Sequence, residues 1–433
     1  MQTNFTIQQL LDPAVVHSEA ILRKCVHCGF CTATCPTYQL LGDELDSPRG
    51  RIYLIKDMLE NDRAADEKTV KHIDRCLSCL SCMTTCPSGV HYMHLVDHAR
   101  AYIERTYKRP LLDRVYRNVL AYILPYPERF RLALHLARFS KPVAKLFSAI
   151  PSLRPIHAML KLAPKKIPRN QRSSQFGVSR ANGNKRYRVA IHAGCAQQVL
   201  DPGINSAAIQ LLNRFGVEVV TVKDVVCCGS LVHHMGHEEK AEHFAVQNIK
   251  AWTREIEGEG LDAIIITASG CGTTIKDYGH MLRNSSQFAD VAKTISELAK
   301  DVTEFLAVLE LPEIKSKNDK IVAYHSACSM QHGQKITGLP RQLLTNAGFQ
   351  VREIPEGHLC CGSAGTYNIM QSEIAEQLKT RKIRNIKTLS PDIIATGNIG
   401  CMTQIATGTN IPIYHTVELL NWAYGGKLHD KIK

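Results

Sequence analysis

The chain has 433 residues, of which 44% are hydrophobic and 21% charged; this composition excludes a disordered protein and allows two to four folded domains. Sixteen cysteines without an N-terminal signal-peptide pattern exclude a secreted disulfide scaffold and favour metal-binding thiols in the cytoplasm. The net charge of +13 is local, because residues 108–169 hold fourteen Lys or Arg against two acids, so the rest of the chain is almost neutral.

Residues 1–107 contain the motif C-x2-C-x2-C-x3-C-P twice, separated by a stretch that predicts a helix over residues 50–60. This is the spacing of bacterial two-cluster ferredoxins, in which the last cysteine of each copy binds the other cluster. We therefore predict two 4Fe–4S clusters. Their ligands are Cys25, Cys28, Cys31 and Cys86 for the first, and Cys76, Cys79, Cys82 and Cys35 for the second. Structural zinc is the alternative, but zinc sites use pairs of C-x2-C arms rather than a triple followed by C-P.

Residues 108–186 form a basic segment that ends in a polar stretch, residues 170–186, with the composition of a loop. Its apolar positions form a helical stripe, which consists of Leu112, Val115, Tyr116, Val119 and Ile123, and residues 130–147 repeat the basic, apolar mixture. Anionic membrane surfaces attract such cationic amphipathic helices. We predict docking to the cytoplasmic face of the inner membrane or to a partner subunit, with inert packing as the alternative. No stretch of the sequence is long and apolar enough to span a bilayer, and no nucleic-acid recognition module is found.

Residues 187–310 and 311–433 are two copies of one repeat, each with a single cysteine, a Cys-Cys-Gly and a later cysteine. The first cysteine precedes the pair by 32 residues in both copies, and the last follows it by 43 and 40 residues, which indicates an internal duplication. The cysteines are Cys195, Cys227, Cys228 and Cys271 in the first copy and Cys328, Cys360, Cys361 and Cys401 in the second.

Apolar, β-branched runs alternate with helical patterns in both copies. We predict strands over residues 188–195, 217–222, 263–268, 321–328, 349–353 and 393–396, and helices over residues 207–215 and 340–347. Strands that alternate with helices predict parallel sheets. The predicted fold class is α+β multidomain, with an N-terminal helical two-cluster ferredoxin-like domain followed by two tandem α/β repeats.

The repeats resemble the Cys-rich domain of heterodisulfide reductases and related oxidoreductase subunits. Joined to the N-terminal module with its run KCVHCGFCTATCPTYQLLGDELDSPRGRIYLIK, the whole chain resembles the glycolate oxidase iron–sulfur subunits. The resemblance implies a complex that oxidises glycolate to glyoxylate on FAD held by a separate flavin subunit. This chain would then relay electrons to an acceptor, with quinone expected, and would not be catalytic alone.

The fullest form of the repeat ends in C-x-x-C, whereas Thr274 and Gln404 occupy the last position here. Four thiols still suffice for a cluster, and Gly229 and Gly362 can supply the irregular turn that adjacent cysteines need. Three interpretations stay open for the eight repeat cysteines: one or two further clusters, a metal-free pocket that faces a thiol or quinone, or a structural role.

Five histidines near these cysteines have conventional explanations. His192 and His325, three residues before the first cysteine of each repeat, are expected to be strand histidines with satisfied hydrogen bonds rather than proton donors to a quinone. A solvated helix start, rather than a metal site, explains His233, His234 and His237.

The sequence lacks the G-x-G-x-x-G and P-loop motifs, and it has no acid–base set suited to hydride abstraction from a 2-hydroxy acid. A partner must therefore supply the flavin. The alternative functions are a disulfide or quinone reductase in which the repeats are catalytic, the equivalent subunit of a lactate or glycerol-3-phosphate dehydrogenase, and a non-redox assembly protein.

Overall fold

The structure is a computed structural model that describes residues 1–141, 144, 147, 150–164, 166–168, 176–315 and 318–428. The N-terminal cluster domain is helical. Its helices are α1 (Pro13–Lys24), α2 (Pro36–Leu41), α3 (Pro48–Glu60), α4 (Glu67–Asp74), α5 (Ser81–Thr85) and α6 (Tyr92–Thr106). The side chains of Asp12, Ser47 and Asp66 accept hydrogen bonds from first-turn amides and so fix the starts of α1, α3 and α4. Helix α3 confirms the helix predicted over residues 50–60.

The basic segment forms α7 (Leu111–Ile123), α8 (Pro127–Ser140) and α9 (Arg154–Leu162). Arg109 and Arg117 lie 2.7 and 2.8 Å from Asp74 of the cluster domain, so part of the positive charge is neutralised internally. Burial favours the neutral form of Asp74, but Arg117 and Arg109 hold its pKa below the usual value. The helices of the described residues include none that is long and apolar enough to cross a membrane. Lys145 and residues 169–175 of the predicted segment lie outside the described residues.

In the first repeat, helices flank a largely parallel sheet. Its strands, in the spatial order β1-β3-β2-β4-β5, are β1 (Gly177–Ser179), β2 (Tyr187–His192), β3 (Val217–Thr221), β4 (Ala263–Ile266) and β5 (Ala299–Asp301). Its helices are α10 (Gln197–Leu200), α11 (Gly203–Arg214), α12 (Ser230–His233), α13 (Glu238–Gly258), α14 (Ser269–Lys276), α15 (Tyr278–Met281), α16 (Ala289–Leu298) and α17 (Val302–Val308). Strand β1 lies within residues 170–186, so the prediction of a loop there is wrong for residues 177–179. It pairs antiparallel with β3, where it satisfies the backbone groups of a sheet edge.

The second repeat has the same architecture. Its strands, all parallel and in the spatial order β7-β6-β8-β9, are β6 (Ile321–Tyr324), β7 (Gln350–Glu353), β8 (Ile393–Thr396) and β9 (Ile413–His415). Its helices are α18 (Leu339–Asn346), α19 (Tyr367–Met370), α20 (Ser372–Lys387), α21 (Ile399–Ala406) and α22 (Thr416–Ala423). This order matches β3-β2-β4-β5, so the duplication extends to the sheet topology. The predicted strands and helices are confirmed, but β2 and β6 end three or four residues before Cys195 and Cys328.

The two repeats share a hydrophobic core and face each other at the carboxyl ends of their strands. Buried side chains from both sheets, such as Ile191 and Tyr324, belong to this core. Ser269, which follows β4, lies 2.8 Å from Ser329, which follows β6, measured between the two Oγ atoms. His415 Nε2 lies 2.7 Å from the backbone oxygen of Thr267. These contacts bring the cysteine-bearing ends of both sheets to one place.

A group of histidines connects the cluster domain to the first repeat. His94 Nε2 lies 3.0 Å from Asp277 of the repeat, and His94 Nδ1 lies 3.3 Å from His17 Nε2. The ring of His280 stacks on His94 with 3.4 Å between centroids. Burial, followed by the neighbouring His94, lowers the pKa of His91 to about 4 and that of His280 to about 2. These two rings are therefore neutral at pH 7.

We expect acidification to loosen this interface. Because the folded-state pKa values lie below the ordinary 6.5, the opened state takes up protons first, and stability falls as the pH decreases below about 6.5. The expected loss is about 0.5–1 kcal/mol per group and pH unit, since solvent screening reduces the full effect for these partly exposed rings. The loss of interface stability is measured by backbone amide hydrogen exchange of residues 278–281 at pH 7.5 and at pH 6, after correction for the intrinsic exchange rates. His280→Gln should weaken the pH dependence and the exposed His243→Gln should not; the same pH dependence in all three proteins would contradict the prediction.

Candidate metal centres

Four cysteines of the cluster domain line one pocket near the surface. Cys25 follows α1, Cys28 and Cys31 lie in the loop after it, and Cys86 follows α5. His27 and Gly29 adopt positive φ values of 55° and 85°, which turns the loop tightly enough for its thiols to face one point. Burial raises the pKa of Cys25, and Cys86 and Cys28 raise it further. Burial raises the pKa of Cys31 to about 11.

The other four cysteines of this domain lie deeper. Burial raises the pKa of Cys79 and Cys82 well above the usual value, and Cys76 and Cys35 add to the increase in both cases. Cys35, the last cysteine of the first motif, is thus a neighbour of the second motif's triple. Cys82 also lines the pocket of the first group, so the two groups are adjacent. A metal that binds a thiol displaces its proton and keeps the thiolate as a ligand, so these thiols, although protonated without a metal, can serve as cluster ligands.

A buried ion network supports the deeper group, although no local sequence pattern indicates it. Arg51 of α3 donates to Cys35 Sγ at 3.9 Å, to Thr37 at 3.0 Å and to Asp46 at 3.3 Å. Burial opposes the charge of Arg51, yet Cys76 and the other groups around it hold its pKa above the usual range. Hydrogen bonds and charge near cluster sulfurs tune reduction potentials. The predicted helix therefore contributes a cation beside the cysteines.

The four cysteines of the first repeat, here called the first quartet, converge at the end of its sheet. Cys227 Sγ lies 3.5 Å from Cys195 Sγ. Cys228 neighbours both Cys227 and Cys271. The Cys227 thiol lowers the pKa of Cys228, but the Cys271 thiol and burial hold that pKa well above the usual value. All four thiols can therefore approach one metal group.

The second quartet repeats this arrangement with Cys328, Cys360, Cys361 and Cys401. The Cys328 and Cys361 thiols both neighbour Cys360, and Cys361 also neighbours Cys401. All four of these residues are buried. The duplicated sequence therefore produces a duplicated thiol site.

A glycine follows each cysteine pair at a position that excludes other residues. Gly229 and Gly362 have φ values of 84° and 89°. A Cβ atom on Gly362 would lie 2.5 Å from the backbone oxygen of Ala375, and one on Gly229 would lie 3.0 Å from that of Ala241. The prediction that these glycines supply the irregular turn is confirmed, since both the backbone angle and the close approach of the next helix require them.

The expectation for His192 and His325 is wrong. Both rings are buried, and among the described residues neither ring nitrogen of either histidine has a hydrogen-bond partner. Each ring instead faces its quartet: a nitrogen of His192 and the sulfurs of Cys228 and Cys271 lie within 4.8 Å of one another, as do His325, Cys361 and Cys401. Burial lowers the pKa of His192 to about 4 and that of His325 to about 3, so both rings are neutral.

The other three histidines also depart from the prediction of a solvated helix start. His233 and His234 lie 3.8 and 3.5 Å from Asp97, a buried carboxylate of the cluster domain. Burial opposes ionisation of Asp97, but His233 and His234 hold its pKa low. Burial lowers the pKa of His237. His233 and His234 therefore belong to the interface between the cluster domain and the first repeat.

The two quartets differ in one buried charge. Lys382 of α20 is 2% exposed and donates to the backbone oxygen of Glu356 at 2.9 Å, with the cysteines of the second quartet as neighbours. Lys382 lies seven residues after Ala375, the alanine that contacts Gly362. In the first repeat, Ala241 contacts Gly229 in the same way, and the residue seven positions after it is Asn248. Asn248 donates to the backbone oxygen of Cys227 at 3.0 Å. Only the second quartet therefore has a lysine at this position.

Both quartets open on one cavity of about 400 Å³. All eight repeat cysteines line it, as does Cys79 of the cluster domain. The basic segment contributes an apolar part of the remaining wall, with Ile123, Leu134 and Met159 among its residues, and the repeats contribute the rest. A concave, mostly apolar site of this size fits a small organic molecule.

The second quartet also contacts the cluster domain directly. Leu77 packs with Cys328 and Cys360 in a small hydrophobic cluster, and Cys79 packs against it. After burial, Cys328 is the largest cause that raises the pKa of Cys79. The deeper thiol group of the cluster domain is therefore next to the second quartet.

Comparisons with known proteins agree with these sites. The "4Fe-4S dicluster domain" family model matches residues 21–90, and the "Cysteine-rich domain" model matches residues 189–276 and 322–406. A relative named "Glycolate oxidase iron-sulfur subunit" from Escherichia coli (strain K12) is 41% identical over 98% of this chain and 99% of its own length. The chain belongs to the glycolate oxidase iron–sulfur subunit family.

A second relative also matches almost the full chain, whereas a less similar protein matches about half of it. A "Probable glycolate oxidase iron-sulfur subunit" from Bacillus subtilis (strain 168) is 31% identical over 94% of this chain and 95% of its own length. A "Lactate utilization protein A" from Bacillus licheniformis is 25% identical over 54% of this chain and 99% of its own length. The family assignment confirms iron–sulfur clusters as the cofactors, in agreement with the thiol groups of the cluster domain.

Arg51→Gln should lower the midpoint potential of one of the two clusters. Loss of the guanidinium removes a positive charge that favours the reduced, more negative cluster, and about 1.4 kcal/mol corresponds to about 60 mV for one electron. We expect a decrease of this order in an EPR-monitored redox titration. Arg51→Lys keeps the charge and should recover most of the potential. Arg63→Gln, which removes an exposed ion pair with Asp57, is the control; unchanged potentials in Arg51→Gln at full iron content would contradict the prediction.

Proposed function

We propose that this chain is the electron-relay subunit of a flavin-dependent complex that oxidises glycolate to glyoxylate and passes the electrons to quinone. Support for the substrate comes from the names of the two relatives that match almost the full length of the chain. The flavin, FAD, belongs to a partner subunit, because the sequence has no dinucleotide-binding motif and the cofactor carries the chemistry. The observation that carries the relay is a continuous series of thiol groups from the surface to the cavity.

The first part of this series is the cluster domain. We assign one 4Fe–4S cluster to Cys25, Cys28, Cys31 and Cys86 and the other to Cys76, Cys79, Cys82 and Cys35. Cys86 is among the thiols that raise the pKa of Cys25, and Cys35 is among those that raise the pKa of Cys79. Both observations support the binding of each cluster by the last cysteine of the other motif. Cys28 is exposed, so the first cluster is the one that can receive electrons from a partner.

The second part of the series is the pair of quartets, which we take as sites of further iron–sulfur clusters. Cys79 packs against the second quartet, which supports a position of the second cluster beside the repeats. Both quartets then face the same cavity. Two one-electron donors around one cavity suit an acceptor that takes two electrons in total.

A quinone fits the cavity better than a charged acceptor. Beyond the cysteines, α7, α8 and α9 contribute an apolar part of the wall that includes Ile123, Leu134 and Met159, while the repeats contribute the rest, with polar residues such as Ser329 and Asn398. Isoprenoid quinones are apolar and reside in membranes, so this wall matches both the ligand and its source.

The same helices present a surface that suits a membrane. Leu132, Leu136 and Phe139 lie at the helical spacing i, i+4, i+7 on α8 and are exposed, Phe139 to 81%. The segment that carries them is strongly basic in sequence, and anionic lipids attract such segments. We therefore propose peripheral binding to the cytoplasmic face of the inner membrane through α7 and α8.

Lactate is the alternative substrate, because a relative named "Lactate utilization protein A" matches 54% of this chain. Glycolate is favoured, since the glycolate oxidase relatives match the cluster domain, the basic segment and both repeats together.

The complex, purified anaerobically with its partners, should reduce a dye or a quinone when glycolate is added. The chain alone should be brown, lack flavin and leave glycolate unchanged, because its clusters only carry electrons. Flavin content, iron content and glyoxylate formation measure these outcomes, and L-lactate serves as the comparison substrate. Glyoxylate formation by the chain alone would contradict the proposal, as would faster turnover of lactate than of glycolate.

Leu134→Trp should block quinone reduction while it leaves electron transfer to a dye intact. Leu134 is 8% exposed and lines the cavity, so a larger ring there occupies the space of the acceptor. We expect at least a tenfold loss of glycolate-dependent quinone reduction. Val308→Trp on α17, at a residue that is 57% exposed and does not line the cavity, is the control for an added ring. Equal quinone reduction by the two variants would exclude the cavity as the acceptor site.

A further inference from the structure

We propose that His192 and His325 are metal ligands, and that each supplies a nitrogen to the iron–sulfur cluster of its quartet in place of the cysteine missing from the end of its repeat. This inference rests on the proposed function in so far as it takes the quartets as cluster sites. It adds a ligand that neither the cysteine spacing nor the family match assigns.

The first observation is proximity, and it occurs twice. A ring nitrogen of His192 lies within 4.8 Å of both Cys228 Sγ and Cys271 Sγ. His325 has the same relation to Cys361 and Cys401. The two sites have diverged elsewhere, as the residues Asn248 and Lys382 show, so the retained histidine is a shared property of the site.

The second observation is the absence of any other partner. Within the described part of the chain, both nitrogens of both rings are buried and without a hydrogen bond. A buried polar group that lacks a partner destabilises the fold, because its hydration is lost without compensation. A neutral imidazole is the form that binds metals, so a bond to the cluster would remove one unsatisfied nitrogen from each site.

The third observation concerns the position where the missing cysteine would stand. Thr274 Oγ1 donates to the backbone oxygen of Gly270 at 3.4 Å. Gln404 Oε1 accepts from Asn368 at 3.1 Å, and its amide donates to the backbone oxygen of Ala375. The polar atoms of both residues are thus engaged by other groups, so neither residue supplies the donor that the missing cysteine would have supplied.

The donor set favours an iron–sulfur cluster over a single zinc ion. Each site offers four sulfurs and one nitrogen, whereas structural zinc takes four ligands in a tetrahedron. Clusters accept histidine in place of cysteine, and this substitution raises the reduction potential. A raised potential suits the last carrier before an acceptor.

The test uses the full chain, purified anaerobically from cells grown with ¹⁵N-labelled or unlabelled histidine. Iron and sulfide are counted, and pulsed EPR of the reduced protein records nitrogen couplings. We expect more than eight irons per chain and a nitrogen coupling that changes with the histidine label. The label is confined to the imidazole ring of histidine, so backbone nitrogens do not carry it and a label-sensitive coupling identifies imidazole.

Single variants locate the ligand. His192→Ala and His325→Ala should each remove about half of the label-sensitive coupling, and the double variant should remove all of it. His192→Cys restores a fifth thiol in the first quartet, so it should keep the iron, lose the same half of the coupling and lower the potential of that cluster. The exposed His243→Ala and His358→Ala are the controls, and they should leave iron and coupling unchanged.

Three results would overturn the inference. They are clusters in the repeats without a label-sensitive coupling, zinc instead of iron at the quartets, and an iron count that stays at eight per chain. In each case glycolate-dependent reduction of a dye by the complex would still report on the relay. Failure of the histidine ligands is therefore distinguishable from failure of the proposed function.

Discussion

Electrons pass between metal groups only across short gaps. A relay through this chain would therefore depend on the packing of the loop around Cys79 against the second repeat. Leu77, Cys328 and Cys360 form a small apolar cluster there, and Tyr367 donates to the backbone oxygen of Arg75 at 3.0 Å. On the opposite side, His94 and Asp277 join the cluster domain to the first repeat. Both repeats are thus held against the cluster domain, and the distance between its deeper thiols and the second quartet is fixed by packing.

The parts of the fold that depend on local chemistry could be predicted from the sequence. Cysteine spacing indicated the cluster domain, and the positive φ of Gly362 was foreseeable because adjacent cysteines need an irregular turn. The repeated pattern indicated two parallel sheets. Strand ends were less accurate: the apolar run continues through Ala193 and Ala327, but the chain has already left the sheet at these residues.

The parts that depend on distant contacts could not be predicted. Arg51 reaches Cys35 only because α3 folds back beneath the cysteine loop. His192 was expected to have hydrogen-bond partners, as most buried histidines do. The residues that pack around it are largely apolar, with the Trp252 ring 6.0 Å away, and sequence spacing does not reveal which groups surround a strand end. The apolar stripe of α7 likewise serves partly as a cavity wall, which its periodicity alone cannot show.

Lys382 makes the two halves electrically unequal although their thiols are equivalent. A buried ammonium favours any extra negative charge nearby, whereas the Asn248 amide at the matching place offers only a dipole. Negative charge in the repeats is therefore stabilised more in the second half, the half that also adjoins Cys79. Divergence after duplication has in this way made two equivalent thiol sites electrostatically unequal.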